Sequence, residues 1–294
     1  MHPMKPRSLS LLLPSSLAID ARDLRSKTAK IGQIARAASV FRADKIIIYR
    51  DPDLDETELI ERILNYAETP QYLRKRLIPL ADDLRYVGAI PPLQTPHHPL
   101  DAEKIEIGDI RVGVVIRVHE NGSWVDIGSK RSAFLNVSMQ KGERVNVQVT
   151  SNKPLKAVPV DDTEIAGYWG YSVTRAGTLS EALTLTPAPT HAQGLRIATS
   201  RYGESIDADL LRKIGAESGS GNVLVVFGAP HKGISEIMEE EKRREGGGEK
   251  EKGAKSFISE FDYTLNVMPD QGTATVRLEE AVVATLAILN LSFH

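Results

Sequence analysis

Residues 265–277, LNVMPDQGTATVR, hold the groups best suited to grip a small molecule. Pro269 fixes the direction of the chain, and Gly272 lets backbone approach a ligand closely. Gln271, Thr273 and Thr275 add amide and hydroxyl groups. The stretch has neither helical nor strand period, so it reads as a loop. Behind it runs LEEAVVATLAILNL, an unbroken helix former able to brace it. Two more stretches share this character: the polar turn Thr199–Gly203 that ends LRIATSRYG, and Phe227–Gly233, where VLVVFGAP runs into Gly228, Pro230 and Gly233. In open α/β sheets ligands sit at the carboxyl ends of strands, so both are candidate ligand loops. Their chemistry is not phosphate capture, because neither G-x-G-x-x-G nor G-x-x-x-x-G-K-[ST] occurs. A metal is not expected either: His97 and His98 have no carboxylate or thiolate at ligand spacing, and the chain has no cysteine.

The elements that position these loops are legible from periodicity. Residues 8–13, SLSLLL, form a short buried strand; Asp20 is predicted to cap a helix with Leu24, Ile31, Ile34 and Ala38 at helical spacing. KIIIY at 45–49 is the β-branched run of a parallel strand covered on both faces. DPDLDETELIERILNYAE follows as an amphipathic helix that Pro70 stops. Strand, helix, strand, helix opens a doubly wound α/β sheet. The Pro-rich stretch 88–100 marks a crossing between domains. From 105 to about 160 the chain turns β-rich, with Asn121-Gly122 as a hairpin signal, and resembles an OB-fold barrel. Such barrels bind single-stranded nucleic acid by stacking bases on aromatics in a basic groove. Trp124 and Phe134, with Arg111, Arg117, His119, Lys130 and Arg131, are available for that, although Phe134 is expected to fill the barrel. After 160 the α/β pattern returns, with a short helix from Thr178 and another at 206–218. The expected division is 1–86 and 161–294 as α/β segments, with the β-rich 87–160 between them.

Composition agrees with a globular chain: 294 residues, 41% hydrophobic, 26% charged, net charge −2. No apolar run is long enough for a membrane span. The lack of cysteine fits a reducing cytoplasm, or a hot one where Cys is chemically costly. Although the whole chain is near neutral, residues 1–50 hold ten cations (Lys5, Arg7, Arg22, Arg25, Lys27, Lys30, Arg36, Arg42, Lys45, Arg50) against three Asp. An embedded basic face of this kind can bind phosphates, the alternative being a plain solvated helix face; Arg22, Arg25, Lys27 and Arg36 are its candidate contacts to nucleic-acid phosphates. Residues 239–252 carry eleven charges in fourteen positions and the triplet Gly246–Gly248, so a helix from Ile234 should end there in a solvated excursion.

Taken in order, LRIATSRYG, VLVVFGAPHKGI and LNVMPDQGTATVR resemble the three C-terminal motifs of the SPOUT class of RNA methyltransferases. The match is to its archaeal and eukaryotic branch with an inserted OB-type domain. The resemblance implies a trefoil-knotted parallel sheet, S-adenosylmethionine held by three loops, and a homodimer acting on RNA, ribosomal RNA above all. Carried over by position, the cofactor loops are Thr199, Ser200, Arg201 and Gly203; Phe227, Gly228, Ala229, Pro230 and Gly233; and Leu265, Asn266, Val267, Pro269, Gln271, Gly272, Thr273 and Thr275. Phe227, Leu265, Val267 and Met268 would cover the adenine. Methyl transfer from a sulfonium needs placement and, for a ring nitrogen, proton removal. Arg201 is the candidate to stabilise a uridine anion, and Asn266 or Asp270 to orient or accept a proton. The branch is associated with uridine N3 in large RNAs. A non-catalytic RNA-binding or assembly factor that keeps the fold is the alternative reading.

Overall fold

The computed structural model describes residues 8–185, 194–219, 221–244 and 260–293. Two compact units emerge: one gathers the chain up to Asn65, Tyr86–Pro91 and the chain from Tyr171, and the other holds Tyr66–Arg85 and Pro92–Gly170.

The first unit opens with β1 (Ser8–Pro14), α1 (Leu24–Val40), β2 (Lys45–Tyr49) and α2 (Thr57–Glu68), whose last three residues count with the second unit. Leu11–Leu13 and Ile46–Ile48 are fully buried, as strands covered on both faces must be. The cap of α1 is Asp23, whose carboxylate accepts from the Ser26 amide at 2.7 Å. Asp20, the expected cap, instead pairs with the buried Lys30 amine, which also meets Glu279 at 3.2 Å. Lys5 and Arg7 of the predicted basic face lie outside the described residues.

The second unit carries α3 (Gln71–Leu77) and a closed five-stranded barrel in the order β3-β4-β5-β7-β6. Its strands are β3 (Ile110–His119), β4 (Gly122–Asp126), β5 (Ala133–Leu135), β6 (Arg144–Asn152) and β7 (Leu155–Pro159). Val125, Ile127, Ala133, Leu135 and Val147 fill it. The domain boundaries expected at 86/87 and 160/161 both move. Leu73 packs on Val112 and Val114, and the Tyr72 hydroxyl donates to the Val112 carbonyl at 2.7 Å, so 66–85 belongs with the barrel. At the far end the Trp169 indole N–H donates to Asn146 Oδ1 at 3.0 Å and draws the boundary out to Gly170. The hairpin turn is Glu120-Asn121, since His119 pairs with Gly122, which opens β4 at φ +149°. Two side-chain expectations fail here. Phe134 stands outside the barrel because it pairs with outward Trp124, while its neighbours Ala133 and Leu135 point in. Arg111 is buried and held by Asp109 and the Lys104 carbonyl, so it cannot line a nucleic-acid groove.

A partly buried ionic cluster braces this unit. Arg144 grips Glu68 in a fork, with N···O distances of 2.6 and 2.7 Å, and His97 Nε2 lies 3.1 Å from the same carboxylate. Burial alone would raise the Glu68 carboxyl, but hydrogen bonds from His97 and Arg144 outweigh it and hold it at about 2. Burial first, and the His97 ring second, lower His98 to about 4. Among the described residues, no group of three or more His, Cys, Asp or Glu could hold a metal.

The chain then returns to the first unit through β8 (Ser172–Ala176), α4 (Leu179–Thr184), β9 (Gly194–Ser205), α5 (Ala208–Ser218), β10 (Asn222–Val226), α6 (Ile234–Arg244), β11 (Tyr263–Asn266) and α7 (Leu278–Asn290). Thr178 caps α4, accepting from the Glu181 amide at 3.0 Å. The six strands form one all-parallel sheet in the order β11-β9-β10-β1-β2-β8. Helix α6 ends at Arg244, and the glycine triplet of the charged stretch lies outside the described residues. Among the described residues no helix is long and apolar enough to cross a membrane.

Candidate active site

Three neighbouring strands, β11, β9 and β10, deliver the three loops to one end of the sheet. The first is not a strand end, as the sequence suggests, but an excursion inside β9. Thr264 of β11 pairs with Ala198, yet the next residue, Leu265, pairs with Glu204, so 199–203 bulge out between them. The Thr199 hydroxyl ties the bulge to the Val226 carbonyl at 3.0 Å, and Asn266 Nδ2 donates to the Arg201 carbonyl at 2.9 Å. Gly203 closes it: a Cβ there would sit 2.6 Å from the Thr264 carbonyl oxygen, so only glycine lets the bulge rejoin β11.

The second loop leaves β10 through Phe227, which is fully buried. Its amide donates to the Leu12 carbonyl at 3.0 Å, and its carbonyl accepts from the buried Tyr49 hydroxyl at 2.7 Å. Burial pushes that phenol well up, so it stays protonated and keeps donating. The turn then folds tightly enough that a Cβ on Gly228 would meet the Lys232 carbonyl oxygen at 2.9 Å. Gly233 starts α6, its amide donating to Glu236 Oε2 at 2.9 Å. Lys232 bridges Asp53 at 2.6 Å and Glu240 at 2.9 Å, and those two carboxylates raise its amine above the usual lysine value.

The third loop is organised by its own polar groups. Asn266 Oδ1 accepts from the Met268 amide, the Gln271 side chain donates to the Thr273 carbonyl, and the Thr273 hydroxyl to the Thr275 carbonyl. Asp270 takes φ +54°, a left-handed conformation that makes it a turn residue. The loop ends where the Arg277 amide donates to Glu280 Oε2 at the start of α7.

Together the loops enclose a cavity of about 460 Å³, within the usual range for small-molecule sites. Thr199, Ser200 and Arg201 line it, as do Phe227, Gly228, Ala229, Pro230 and Gly233, and Leu265, Asn266, Val267, Gln271 and Thr275. Gly203, Pro269, Gly272 and Thr273, also proposed from sequence as ligand-loop residues, shape the loops without lining the cavity. Of the candidate catalytic groups, Arg201 lines the cavity with its guanidinium 4.8 Å from the Tyr202 ring centre. Asn266 lines it too, but both ends of its amide are spent on the loops. Asp270 is exposed and does not line it. Sequence reasoning missed Tyr202 and Lys232, which sit inside the named loops, and the α7 face Leu278, Ala281 and Thr285. The spacing of those last three, i, i+3, i+7, is the helical signal that could have found them.

A family model described as "Putative RNA methyltransferase" matches residues 8–289. This chain belongs to that family. Its relatives include an uncharacterized protein of Halobacterium salinarum, 36% identical over 96% of this chain and 99% of its own length. Another, from Haloarcula marismortui, is 37% identical over the same shares. The human 28S rRNA (uridine-N(3))-methyltransferase is 30% identical over 97% of this chain and 78% of its own length. The α/β sheet, the separate barrel and the three-loop cavity are thus the framework of an RNA methyltransferase family member.

Proposed function

We propose that this chain methylates N3 of a uridine in ribosomal RNA, with S-adenosylmethionine seated in the cavity. The observation that carries the cofactor is the cavity itself: 460 Å³ at the strand ends, walled by loop backbone and apolar side chains. Three features fit the group. Phe227, Leu265, Val267 and Met268 supply apolar cover for an adenine ring. The bare α-carbon of Gly228 leaves loop backbone free to approach it. The Thr285 hydroxyl, fully buried in the cavity wall, has no hydrogen-bond partner among the described residues, a polar group waiting for one. The uridine acceptor follows the activity named for the human relative.

When bound, S-adenosylmethionine supplies a methyl group already activated on a sulfonium. The chain's own contribution is placement, worth up to roughly 7–11 kcal/mol for a well-oriented pair. Arg201 is exposed at the cavity and carries a fixed positive charge where uridine N3 would become anionic on losing its proton. Asn266 holds the Arg201 carbonyl and the Met268 amide, so it positions these groups and takes no proton. Arg22 and Arg25, exposed at the start of α1, are our candidates for phosphate contacts. Lys27 is weaker, because Glu56 already neutralises it, and Arg36 is half-buried. We infer a homodimer from the apolar stripe of Val283 and Ala287 on α7 and Leu291 just past its end, exposed at i, i+4, i+8 spacing.

The test is calorimetric titration with S-adenosylmethionine, followed by transfer of labelled methyl to ribosomal RNA and mapping of the product. Micromolar binding and N3-methyluridine are expected. Folded protein that binds no cofactor, with or without RNA, would leave an RNA-binding factor in its place.

A further inference from the structure

The outer face of the barrel carries a row of side chains that neither its core nor the cavity uses. Across four strands, Arg117 pairs with Trp124, Trp124 with Phe134, and Phe134 with Lys156. Ser151 on β6 continues the row beyond Lys156. Strand alternation alone would not produce it. On β3 the register slips between Val115 and Arg117, so Arg117, which shares parity with the inward Val115, turns out to face Trp124. On β6 a second slip between Val149 and Ser151 turns Ser151 out beside Lys156. Bulges commonly re-aim side chains at functional surfaces.

The rings at the centre are built to hold their orientation. Their centroids lie 5.2 Å apart at a tilt of 59°. The far edge of Phe134 fills the space over Gly122, where a Cβ would lie 2.7 Å from its ring tip. Trp124 is left half-buried against it. Arg117 and Lys156, at the two ends, are exposed and make no ion pair among the described residues. A fixed aromatic surface with an open cation on either side matches one ligand chemistry: an unpaired base with a phosphate to each side of it. A protein partner would be met by a wider apolar patch, whereas here cations stand where one apolar neighbour would be needed.

We propose that Trp124, backed by Phe134, is a stacking platform for one unpaired RNA base, with Arg117 and Lys156 on its flanking phosphates. It deepens the methyltransferase reading by assigning the barrel to single-stranded RNA next to the target. The chain has two tryptophans, Trp124 and Trp169, so fluorescence reports the platform directly. Titration with an unpaired RNA of about 12 nucleotides, a length within the usual barrel footprint, should quench the emission, and the same RNA annealed to its complement should not. Trp124→Ala should weaken binding roughly 5- to 150-fold, from the usual worth of one stacked base, and Trp124→Phe should keep most of the affinity while losing the quench. Arg117→Glu with Lys156→Glu, surface changes that leave the core alone, should lower the salt slope by roughly 1.4. Undiminished affinity in Trp124→Ala, or equal quenching by duplex, overturns the platform. Normal quenching in a protein that binds no S-adenosylmethionine overturns the methyltransferase reading and leaves the platform standing.

Discussion

A single methyl group at residue 228 tests whether the cavity is the cofactor site. Alanine there puts Cβ 2.9 Å from the Lys232 carbonyl oxygen and 3.3 Å from the Ile234 amide nitrogen, both backbone atoms that cannot swing away. That is roughly 0.6 Å short of an optimal contact, so the turn from 228 to 233 must open. The displaced backbone is the wall expected to face the cofactor. One or two hydrogen bonds lost, at about 0.5–1.5 kcal/mol each, lower affinity by roughly 0.5–3 kcal/mol, or about 2- to 150-fold in Kd. Gly228→Val should abolish binding. The turn is at the surface of the unit, so the melting temperature should move little. Gly272→Ala is the matched control, because nothing lies within 4 Å of the added carbon. Calorimetric titration of S-adenosylmethionine into the three variants, with thermal melts alongside, gives the answer. Wild-type affinity in Gly228→Ala refutes the placement, and so does an equal loss in Gly272→Ala.

Three more outcomes follow from the charged groups. Glu68→Gln should cost the barrel unit about 2 kcal/mol in urea unfolding followed by tryptophan emission, less than a fully buried pair's ~3–5, because Arg144 is 38% exposed. Since the Glu68 carboxyl is held at about 2 against an ordinary 4.5, its stabilisation is complete above pH 4.5 and lost as pH falls through 2; the variant should flatten that arm. His98 is lowered to about 4 from 6.5, so the fold favours its neutral form, and the stability this contributes is full above pH 6.5 and lost on falling toward 4. His98→Asn should remove that slope; a slope that persists places the titration elsewhere. Finally, Arg22→Glu with Arg25→Glu should weaken RNA binding and reduce its salt dependence, and an unchanged slope would take α1 out of the RNA interface.

Much of this molecule is local and therefore legible in the chain. The β-branched run at 45–49 coincides with β2, and Thr178 caps α4 as its position suggests, because period and capping depend on near neighbours alone. The three loops are legible for the same reason: glycine, proline and small polar residues interrupt the apolar runs and announce where the strands deliver the chain. Distance along the chain decides the rest. Residues 199–203 read as the end of a strand, but pairing with β11, some sixty residues on, keeps the strand going and throws them out as a bulge. Asp20 reads as the cap of α1 until buried Lys30 claims it as a counter-ion, and Asp23 takes the cap instead. Arg111 and Lys27 look like free cations until Asp109 and Glu56 are folded against them. Phe134 is apolar and so reads as core, yet strand parity in a closed barrel points it out beside Trp124. The chain alone determined which residues form strands, helices and loops, through patterns spanning a few residues. Register, burial and ion pairing, set by partners dozens of residues away, were decided only by the tertiary structure.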